Sequence, residues 1–217
     1  MRKINRRSAE KSIAVIIDGK DEKWYLETVK EHYPNADMKK ATIKPDLPQK
    51  KSVEALFALA QQKLAMESTQ VILILDMDCI IKNSQEFEHF KVYYEKYLKS
   101  TQGTLTPREK AKYGWMNNLV IIVNTPCLEF WYLLHFSKTH KFFPDFSAME
   151  ATLRKQPGLE EYDKSEDYYK KSPNIYDRLG GEDGIRMARN NAMPFSLAEA
   201  KSTGISEMNK FFEIFEK

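Results

Sequence analysis

Two aspartates, Asp76 and Asp78, directly follow an uninterrupted aliphatic run in the segment "VILILDMDCI". If the run is a buried strand, alternation of its side chains points both carboxylates to the same side. At a separation of about 4 Å and an effective dielectric constant of about 20, the two charges repel each other by about 4 kcal/mol. Such a pair needs a cation, a shared proton or extensive solvation. The spacing therefore indicates metal or acid–base chemistry, and the alternative is an ordinary pair of turn or helix-cap aspartates.

Two further apolar runs also end in polar residues. "SIAVIID" leads to Asp18 and Glu22, and "LVIIVNTP" leads to Asn124 and, shortly afterwards, Glu129. Ligands of parallel sheets lie outside the carboxyl ends of the strands, so five carboxylates would crowd one edge if these strands are neighbours. A set of oxygen ligands favours magnesium, manganese or calcium over zinc. We therefore predict a divalent-cation site at this edge.

The elements that must position these residues are short apolar strands separated by segments with helical spacing. The predicted strands lie at residues 12–18, 38–45, 71–75 and 119–126, and the predicted helices at 22–33, 52–66, 84–99 and 127–136. Ser52 is the predicted N-cap of the second helix, and Thr125 followed by Pro126 is the predicted start of the fourth. Strands that are apolar throughout indicate a parallel sheet covered on both faces. We predict an α/β fold with a mostly parallel four-stranded sheet flanked by helices.

The remaining segments suggest an arm, a core and an appendage. Residues 1–11 form a basic stretch in which Glu10 is the only acid, and they are either a solvated tail or a phosphate contact. Residues 12–137 are the predicted α/β core, in which residues 100–118 read as a loop or insertion. Residues 138–217 contain no comparable aliphatic run, and we expect a helical C-terminal appendage packed on the core.

Composition narrows the functional classes. The 217 residues include 34 basic and 31 acidic side chains, so the net charge of +3 does not indicate a chain that is polybasic as a whole. No apolar run reaches the ~18 residues of a membrane span, and no signal-peptide core is recognisable, so we expect a cytoplasmic protein without a membrane partner. Cys79 and Cys127 have no CxxC spacing, and we interpret them as buried thiols.

Each candidate residue also has a purely structural interpretation. Asp18 before Gly19 could be a turn aspartate, while Glu22 and Glu129 occupy the first turns of helices, where the helix dipole favours carboxylates. His135 is expected to be a hydrogen-bonded core histidine. Three neighbouring apolar residues are expected in the core: Phe130, Trp131 and Leu134.

Three segments resemble the RloB family. "VNTPCLEFWYLLHF" is similar to its Asn-Pro-Cys-Phe-Glu-x-Trp-x-Leu-Leu-His-Phe signature, and "IIDGKDEKWYL" resembles its Glu-Gly-x-Thr-Glu-x-x-Tyr-Phe start. "SLAEAKSTGISEMNKFFEIF" is similar to its closing helix. Members of this family are regarded as Toprim-related, and they are associated with bacterial restriction and abortive phage-defence loci, often beside an ATPase.

The resemblance implies roles for the acidic residues. Toprim sites use a glutamate after the first strand and an Asp-x-Asp motif after a later one to hold magnesium and to break or transfer a phosphodiester. By this resemblance, Asp76 and Asp78 would hold Mg²⁺ or Mn²⁺ together with Asp18. Glu22 would act as general acid or base, and Glu129 would complete the metal shell or orient the attacking water.

The sequence departs from the family pattern at two positions of this site. Asp18 stands where the family has glutamate, and Thr125 is inserted between Asn124 and Pro126. The main hypothesis is a magnesium-dependent, Toprim-like nuclease that acts on DNA or RNA in bacterial defence. The departures favour the alternative, a non-catalytic sensor or a component that docks on an ATPase partner. A third hypothesis is a haloacid-dehalogenase-type phosphatase, because "DMDCI" resembles the nucleophile motif of that group.

Overall fold

A computed structural model describes residues 12–17, 19–48, 52–66 and 68–216 of the chain. The predicted basic arm at residues 1–11 and the predicted metal ligand Asp18 lie outside the described residues.

Five strands of the described residues form one sheet in the order β2-β1-β3-β4-β5. The strands are β1 (Ser12–Ile16), β2 (Thr42–Asp46), β3 (Gln70–Asp76), β4 (Leu119–Thr125) and β5 (Ile205–Ser206). The first four strands are mutually parallel, and β5 pairs with β4 in the antiparallel direction. The predicted four-stranded parallel sheet is therefore confirmed. The two-residue strand β5, which comes from the C-terminal part of the chain, was not predicted.

The described helices alternate with the strands in the first half of the chain and follow one another in the second half. They are α1 (Lys20–His32), α2 (Ala36–Lys40), α3 (Val53–Met66), α4 (Met77–Lys82), α5 (Ser84–Thr101), α6 (Pro107–Tyr113), α7 (Glu129–Leu134), α8 (Phe146–Leu153), α9 (Glu166–Lys170), α10 (Ile175–Arg178), α11 (Gly181–Asn191) and α12 (Asn209–Glu213). Short 3₁₀ helices occupy Gly114–Asn118 and Leu197–Glu199.

Two hydrophobic clusters cover the two faces of the sheet. Successive β1 residues alternate between them, because Val15 packs in one cluster and Ile16 in the other. The first cluster contains Tyr25 of α1 and Trp131 of α7, and the second contains Phe57 of α3. Burial on both faces explains why the central strands are aliphatic throughout rather than alternating.

The C-terminal residues take part in the same packing. Tyr162, Tyr169 and Phe211 belong to the hydrophobic cluster that contains Tyr25 and Trp131, and all five side chains are buried. The strand β5 extends the sheet beyond β4. The division of the chain at residue 138 stays a prediction, and the residues after it contribute to the cores on both faces of the sheet, since Tyr162 lies in the first cluster and Phe195 in the second.

Two local predictions were wrong. The fourth helix begins at Glu129 rather than at Cys127, because Thr125 is still paired with Ile205 in the sheet and the chain turns only afterwards. The predicted loop at residues 100–118 contains α6, whose N-terminus is closed by a capping box between Thr106 and Glu109. The predicted N-cap of α3 is confirmed, since Ser52 Oγ accepts a hydrogen bond from the Ala55 N–H at 3.3 Å.

Candidate functional site

The carboxyl ends of β3 and β4 lie side by side. The register pairs Asp76, the last residue of β3, with Asn124 of β4. Asn124 Nδ2 donates a hydrogen bond of 3.2 Å to Asp76 Oδ1, and Ser206 Oγ donates one of 2.7 Å to Asn124 Oδ1. Asn124 and Ser206 are completely buried. Strand β5 therefore fixes which atom of the Asn124 amide faces Asp76.

Asp78 lies in the first turn of α4, beyond the end of β3. Strand alternation ends at Asp76, so the expectation that both aspartates point to one side of a strand does not apply to Asp78. Its carboxylate Oδ1 accepts a hydrogen bond of 2.7 Å from the Cys79 N–H. Its own N–H donates to the Pro126 carbonyl at 3.1 Å, which joins the turn after β3 to the turn after β4.

Glu22 lies in the first turn of α1, the helix that follows β1, and therefore at the same edge of the sheet. Its side chain is only 2% exposed, and Oε2 is buried without a hydrogen-bond partner. The backbone at Gly19 lies close to two carboxylates. A Cβ atom added at Gly19 would lie 2.4 Å from Asp21 Oδ1 and 2.6 Å from Glu22 Oε2. Glycine therefore leaves the space that the two carboxylates occupy.

Glu129 begins α7 and is fully buried. Its Oε1 accepts a hydrogen bond of 2.9 Å from the Tyr162 hydroxyl and forms an ion pair with Lys164 Nζ. Its Oε2 is buried without a hydrogen-bond partner. Lys164 Nζ also lies 3.2 Å from Asp21 Oδ2 and therefore connects the first turns of α1 and α7.

The sequence of nearly the whole described chain matches one family. The family model, described as RloB-like protein, covers residues 13–213. The chain belongs to the RloB-like family. No curated protein and no solved structure is significantly similar to it.

The electrostatics of this RloB-like protein bring Glu22, Asp76 and Glu129 into one group. Burial is the main cause that raises the pKa of Glu22 to about 8. The charges of Asp21 and Glu129 raise this pKa further, and a side-chain hydrogen bond with Asp76 lowers it. Glu22, which follows β1, thus interacts with Asp76 at the end of β3 and with Glu129 after β4. Burial and the neighbouring carboxylates therefore favour the protonated form of Glu22, because both raise its pKa.

Three buried tyrosines support Glu129 from the core side. Tyr162 OH and Tyr169 OH lie 2.7 Å apart, and Tyr132 OH donates to Tyr169 OH at 3.2 Å. Burial raises the pKa of Tyr162 well above its usual value, and the neighbouring Tyr169 and Glu129 add to the effect. The Tyr162 hydroxyl therefore keeps its proton and remains a donor to Glu129.

The Lys164 side chain is 41% exposed, whereas its partner Glu129 is fully buried, so Lys164 lies on the solvent side of this ion pair. Burial disfavours its ammonium, but the charges of Glu129 and Asp21 outweigh this effect and raise the pKa of Lys164. The ammonium also lies 4.3 Å from the centre of the Phe146 ring. Lys164 is therefore charged and held against the acidic edge.

The residues at this edge fit the divalent cation that the resemblance implies only in part. Among the described residues, no three His, Cys, Asp or Glu side chains are arranged to hold a metal ion. Two buried carboxylate oxygens, Glu22 Oε2 and Glu129 Oε2, nevertheless lack a partner at an edge that also carries Asp76. Oxygen donors are the ligands that Mg²⁺ and Mn²⁺ prefer, so the chemistry of these residues suits such an ion, but the described residues alone do not form a complete metal site.

Sequence reasoning missed four residues that contact the predicted site: Asp21, Tyr162, Lys164 and Ser206. Asp21 directly precedes Glu22 but was not predicted to be a site residue. Lys164 lies in the charged segment "EYDKSEDYY", and neither its type nor its spacing distinguishes it there from a solvated lysine. Ser206 belongs to the unpredicted strand β5. Their roles follow from contacts between segments that are distant in the sequence.

The residues in and around α7 are mostly buried, as the sequence predicted. His135 is confirmed as a core histidine, since it is buried and its Nδ1 lies 2.9 Å from the Leu179 carbonyl oxygen. Phe130, Trp131 and Leu134 are confirmed as core residues. Cys127 is buried as expected, but Cys79 is exposed, because α4 turns this position towards solvent. Within the described ranges, no helix has the length and apolar character to cross a membrane.

Proposed function

We propose that this RloB-like protein is a Toprim-like nuclease that uses Mg²⁺ or Mn²⁺ to cleave nucleic-acid phosphodiesters in bacterial defence. The observation that most supports the proposal is the meeting of Glu22, Asp76 and Glu129 at the ends of three parallel strands. Two of these side chains carry buried oxygens without a partner. Buried carboxylates are costly unless a cation or proton neutralises them, which favours a functional site over a structural one.

Each acidic residue has a role in the proposed reaction. Asp76 and Asp78, with Asp18, would hold the ion, which when bound supplies Lewis acidity at the phosphate and lowers the pKa of water. Glu22 has a pKa of about 8, which suits a group that takes up or releases a proton near neutral pH. Glu129 is held by Tyr162 and would orient the attacking water for in-line displacement.

Nuclease assays test the proposal. Purified protein is incubated with Mg²⁺ and single-stranded DNA, double-stranded DNA or RNA, and the wild type is compared with Asp76→Ala plus Asp78→Ala. We expect the double variant to lose at least about 100-fold in cleavage rate, because several ligands of the ion are removed. The matched control is Asp167→Ala, which removes a surface carboxylate that binds Lys171. Equal cleavage by the wild type and the double variant would contradict the assignment.

The second candidate is a non-catalytic component that binds a ligand or docks on an ATPase partner. Two observations favour it: the described residues hold no ready group of three metal ligands, and Lys164 already pairs with Glu129. Isothermal titration with Mn²⁺ separates the two candidates. Absence of binding, together with a stable complex between this protein and the product of a neighbouring gene, would support the non-catalytic role.

A further inference from the structure

A cavity of about 360 Å³ lies between α3, α5, α6 and the 3₁₀ helix Gly114–Asn118. Its wall includes Phe57, Gln61, Tyr93, Lys112, Tyr113 and Trp115. The 3₁₀ helix leads directly into the first residue of β4, so this region lies towards the amino end of that strand. Asp76 and Asn124 lie at the carboxyl ends of their strands. This aromatic cavity is therefore separate from the acidic edge.

The aromatic side chains offer flat apolar surface to a ligand. The rings of Phe57 and Tyr93 stack with 4.4 Å between their centroids and 20° between their planes. Tyr93, Tyr113 and Trp115 remain partly exposed, although such rings contribute most to stability when they are covered. Small-molecule sites are concave and mostly apolar, and their volumes are about 300–1,000 Å³. The aromatic cavity has the size and lining of a site for one small, flat molecule.

Lys112 gives the aromatic cavity a positive charge. Its Nζ lies 5.1 Å from the centre of the Tyr113 ring, and it forms no ion pair with another described residue. Burial is the main cause that raises the pKa of Tyr93; the charge of Glu54 adds to this effect, and the charge of Lys112 opposes it. The ammonium therefore interacts with two of the aromatic residues that line the cavity.

Two acids of the surrounding helices have basic neighbours of their own. Glu109 Oε1 of α6 lies 2.6 Å from Lys96 Nζ, and Glu54 Oε1 of α3 lies 3.9 Å from His89 Nδ1. Neither acid forms an ion pair with Lys112. The charge of Lys112 is thus available to an anion that enters the cavity.

Gln61 adds a group that can recognise a base. Its side chain is exposed and lines the cavity. The amide carries both a donor and an acceptor, the combination that matches the N6 and N7 edge of adenine. Nucleobases stack on aromatic rings, and lysine binds phosphate as a point charge. Flat rings, an amide and an unpaired ammonium together are complementary to a nucleotide.

We propose that the aromatic cavity binds one nucleotide, with adenine as the preferred base. The base stacks on the aromatic wall, Gln61 bonds to its edge, and Lys112 pairs with the phosphate. This site does not depend on the proposed nuclease function. A free nucleotide and one unit of a single-stranded nucleic acid offer the same chemistry, and probes of different length distinguish the two sources.

The test is isothermal titration of the full-length protein with AMP, adenosine, inorganic phosphate and single-stranded hexadeoxyadenylate. A chelator is present throughout, so that the acidic edge cannot bind phosphate through a divalent ion. The variants are Trp115→Leu and Lys112→Gln. Trp115→Phe is a control that keeps an aromatic ring. Lys110→Gln is a second control, which removes a charge from the same helix at a position that does not line the cavity.

Thermal unfolding checks that the variants are folded. The Trp115 ring packs against the second hydrophobic cluster, so its replacement affects stability as well as the cavity. Lys112 is exposed, and Lys112→Gln keeps the proposal testable if Trp115→Leu does not fold.

We expect AMP to bind the wild type more tightly than adenosine or phosphate, because only AMP engages both the rings and the ammonium. Trp115→Leu should weaken AMP binding by at least about 10-fold through the loss of stacking. Lys112→Gln should weaken it by about 3- to 5-fold, as befits an exposed charge pair. Both controls, and Asp76→Ala plus Asp78→Ala, should bind AMP within about 2-fold of the wild type.

The length of the preferred probe identifies the source of the nucleotide. Tighter binding of hexadeoxyadenylate than of AMP, with the same sensitivity to both cavity variants, would identify a single-stranded nucleic acid, and tighter binding of AMP would identify a free nucleotide. The proposal is overturned if neither probe binds, or if both cavity variants bind the probes as the wild type does. Binding that is lost only in the double aspartate variant would place the nucleotide at the acidic edge and would also overturn it.

Discussion

Asn124 Nδ2 lies 3.2 Å from Asp76 Oδ1 and joins the carboxyl ends of two neighbouring strands. Asparagine carries a donor and an acceptor that differ little in shape, so a second contact must decide which of them faces the carboxylate. Ser206 provides this contact by donating to Asn124 Oδ1 at 2.7 Å. The acidic edge of the parallel sheet is thus organised by a residue of the antiparallel strand β5.

Substitution of Ser206 by alanine should affect both stability and the site. The variant leaves the buried Asn124 Oδ1 without its donor, and we expect the free energy of unfolding to fall by about 1–2 kcal/mol. The amide also becomes free to turn its oxygen towards Asp76, so Mn²⁺ affinity and cleavage rate should fall as well. Urea unfolding and a Mn²⁺ titration measure the two effects.

Ser202→Ala is the control for this variant. Ser202 Oγ donates to the Glu199 carbonyl at 3.3 Å on the surface, and its loss should change the stability by less than about 0.5 kcal/mol. If Ser206→Ala and Ser202→Ala have the same small effect, the Ser206–Asn124 hydrogen bond does not organise the site.

Glu22 should make the metal-free protein less stable as the pH rises. Its pKa is about 8 in the folded protein, above the usual value of 4.5, so the folded state holds a proton that the unfolded state has released. Between about pH 5 and pH 8 the folded state binds more protons, and stability must fall across this window. We expect the wild type to lose about 4 kcal/mol relative to Glu22→Gln over that range.

Urea unfolding at several pH values, in the presence of a chelator, measures this difference. Glu31→Gln is the control, because Glu31 lies exposed in the same helix and should leave the pH dependence of the wild type unchanged. Parallel stability curves for the wild type and Glu22→Gln would show that Glu22 is ionised throughout, contrary to the expectation.

His135 should have the opposite pH dependence. Burial disfavours the imidazolium and lowers the pKa of His135 to about 4 from the usual 6.5, although the hydrogen bond with Leu179 acts in the other direction. The unfolded state therefore binds more protons between about pH 4 and 6.5, so stability falls as the pH decreases through this window. We expect the wild type to lose about 3 kcal/mol relative to His135→Asn over that range.

The difference between the two proteins isolates His135, because Glu22 titrates equally in both. The control is His140→Asn, which removes a partly exposed imidazole. Unfolding free energies of the wild type and His135→Asn that change in parallel between pH 4 and 6.5 would contradict the buried neutral imidazole.

The sequence predicted best those elements whose structure follows from the spacing of apolar residues along the chain. The aliphatic runs before Asp76 and Asn124 predicted buried parallel strands, since burial on both faces leaves no polar position in a central strand. The adjacency of β1, β3 and β4, which was an assumption, is confirmed by the sheet order. It brings Glu22 and Glu129 to the same edge as Asp76.

The local sequence pattern did not predict the site residues that make contacts between distant segments of the chain. Lys164 and Glu129 lie in different parts of the chain, and they meet where Tyr162 hydrogen-bonds to Glu129 of α7. Ser206 sits in a two-residue strand that has no periodicity to detect. The capping box of Thr106 and Glu109 was readable in "TPRE", but the charges and turn formers around it resembled a loop.

Gly19→Ala should damage the site while leaving the fold intact. The φ angle of Gly19 is −130°, which alanine adopts without strain, so the backbone tolerates the change. The added Cβ would lie 2.4 Å from Asp21 Oδ1 and 2.6 Å from Glu22 Oε2, so both carboxylates must move. We expect a stability change of less than about 1 kcal/mol but a loss of at least about 10-fold in Mn²⁺ affinity and cleavage rate.

Gly114→Ala is the matched control for the last variant, because the nearest atom to its added Cβ is Lys110 Cγ at 3.4 Å, an ordinary contact. This control should bind Mn²⁺ and cleave nucleic acid as the wild type does. Thermal unfolding, Mn²⁺ titration and the nuclease assay on the same preparations separate the two effects. If Gly19→Ala keeps the wild-type Mn²⁺ affinity, the carboxylates of Asp21 and Glu22 can move without consequence, and their present positions do not define the metal site.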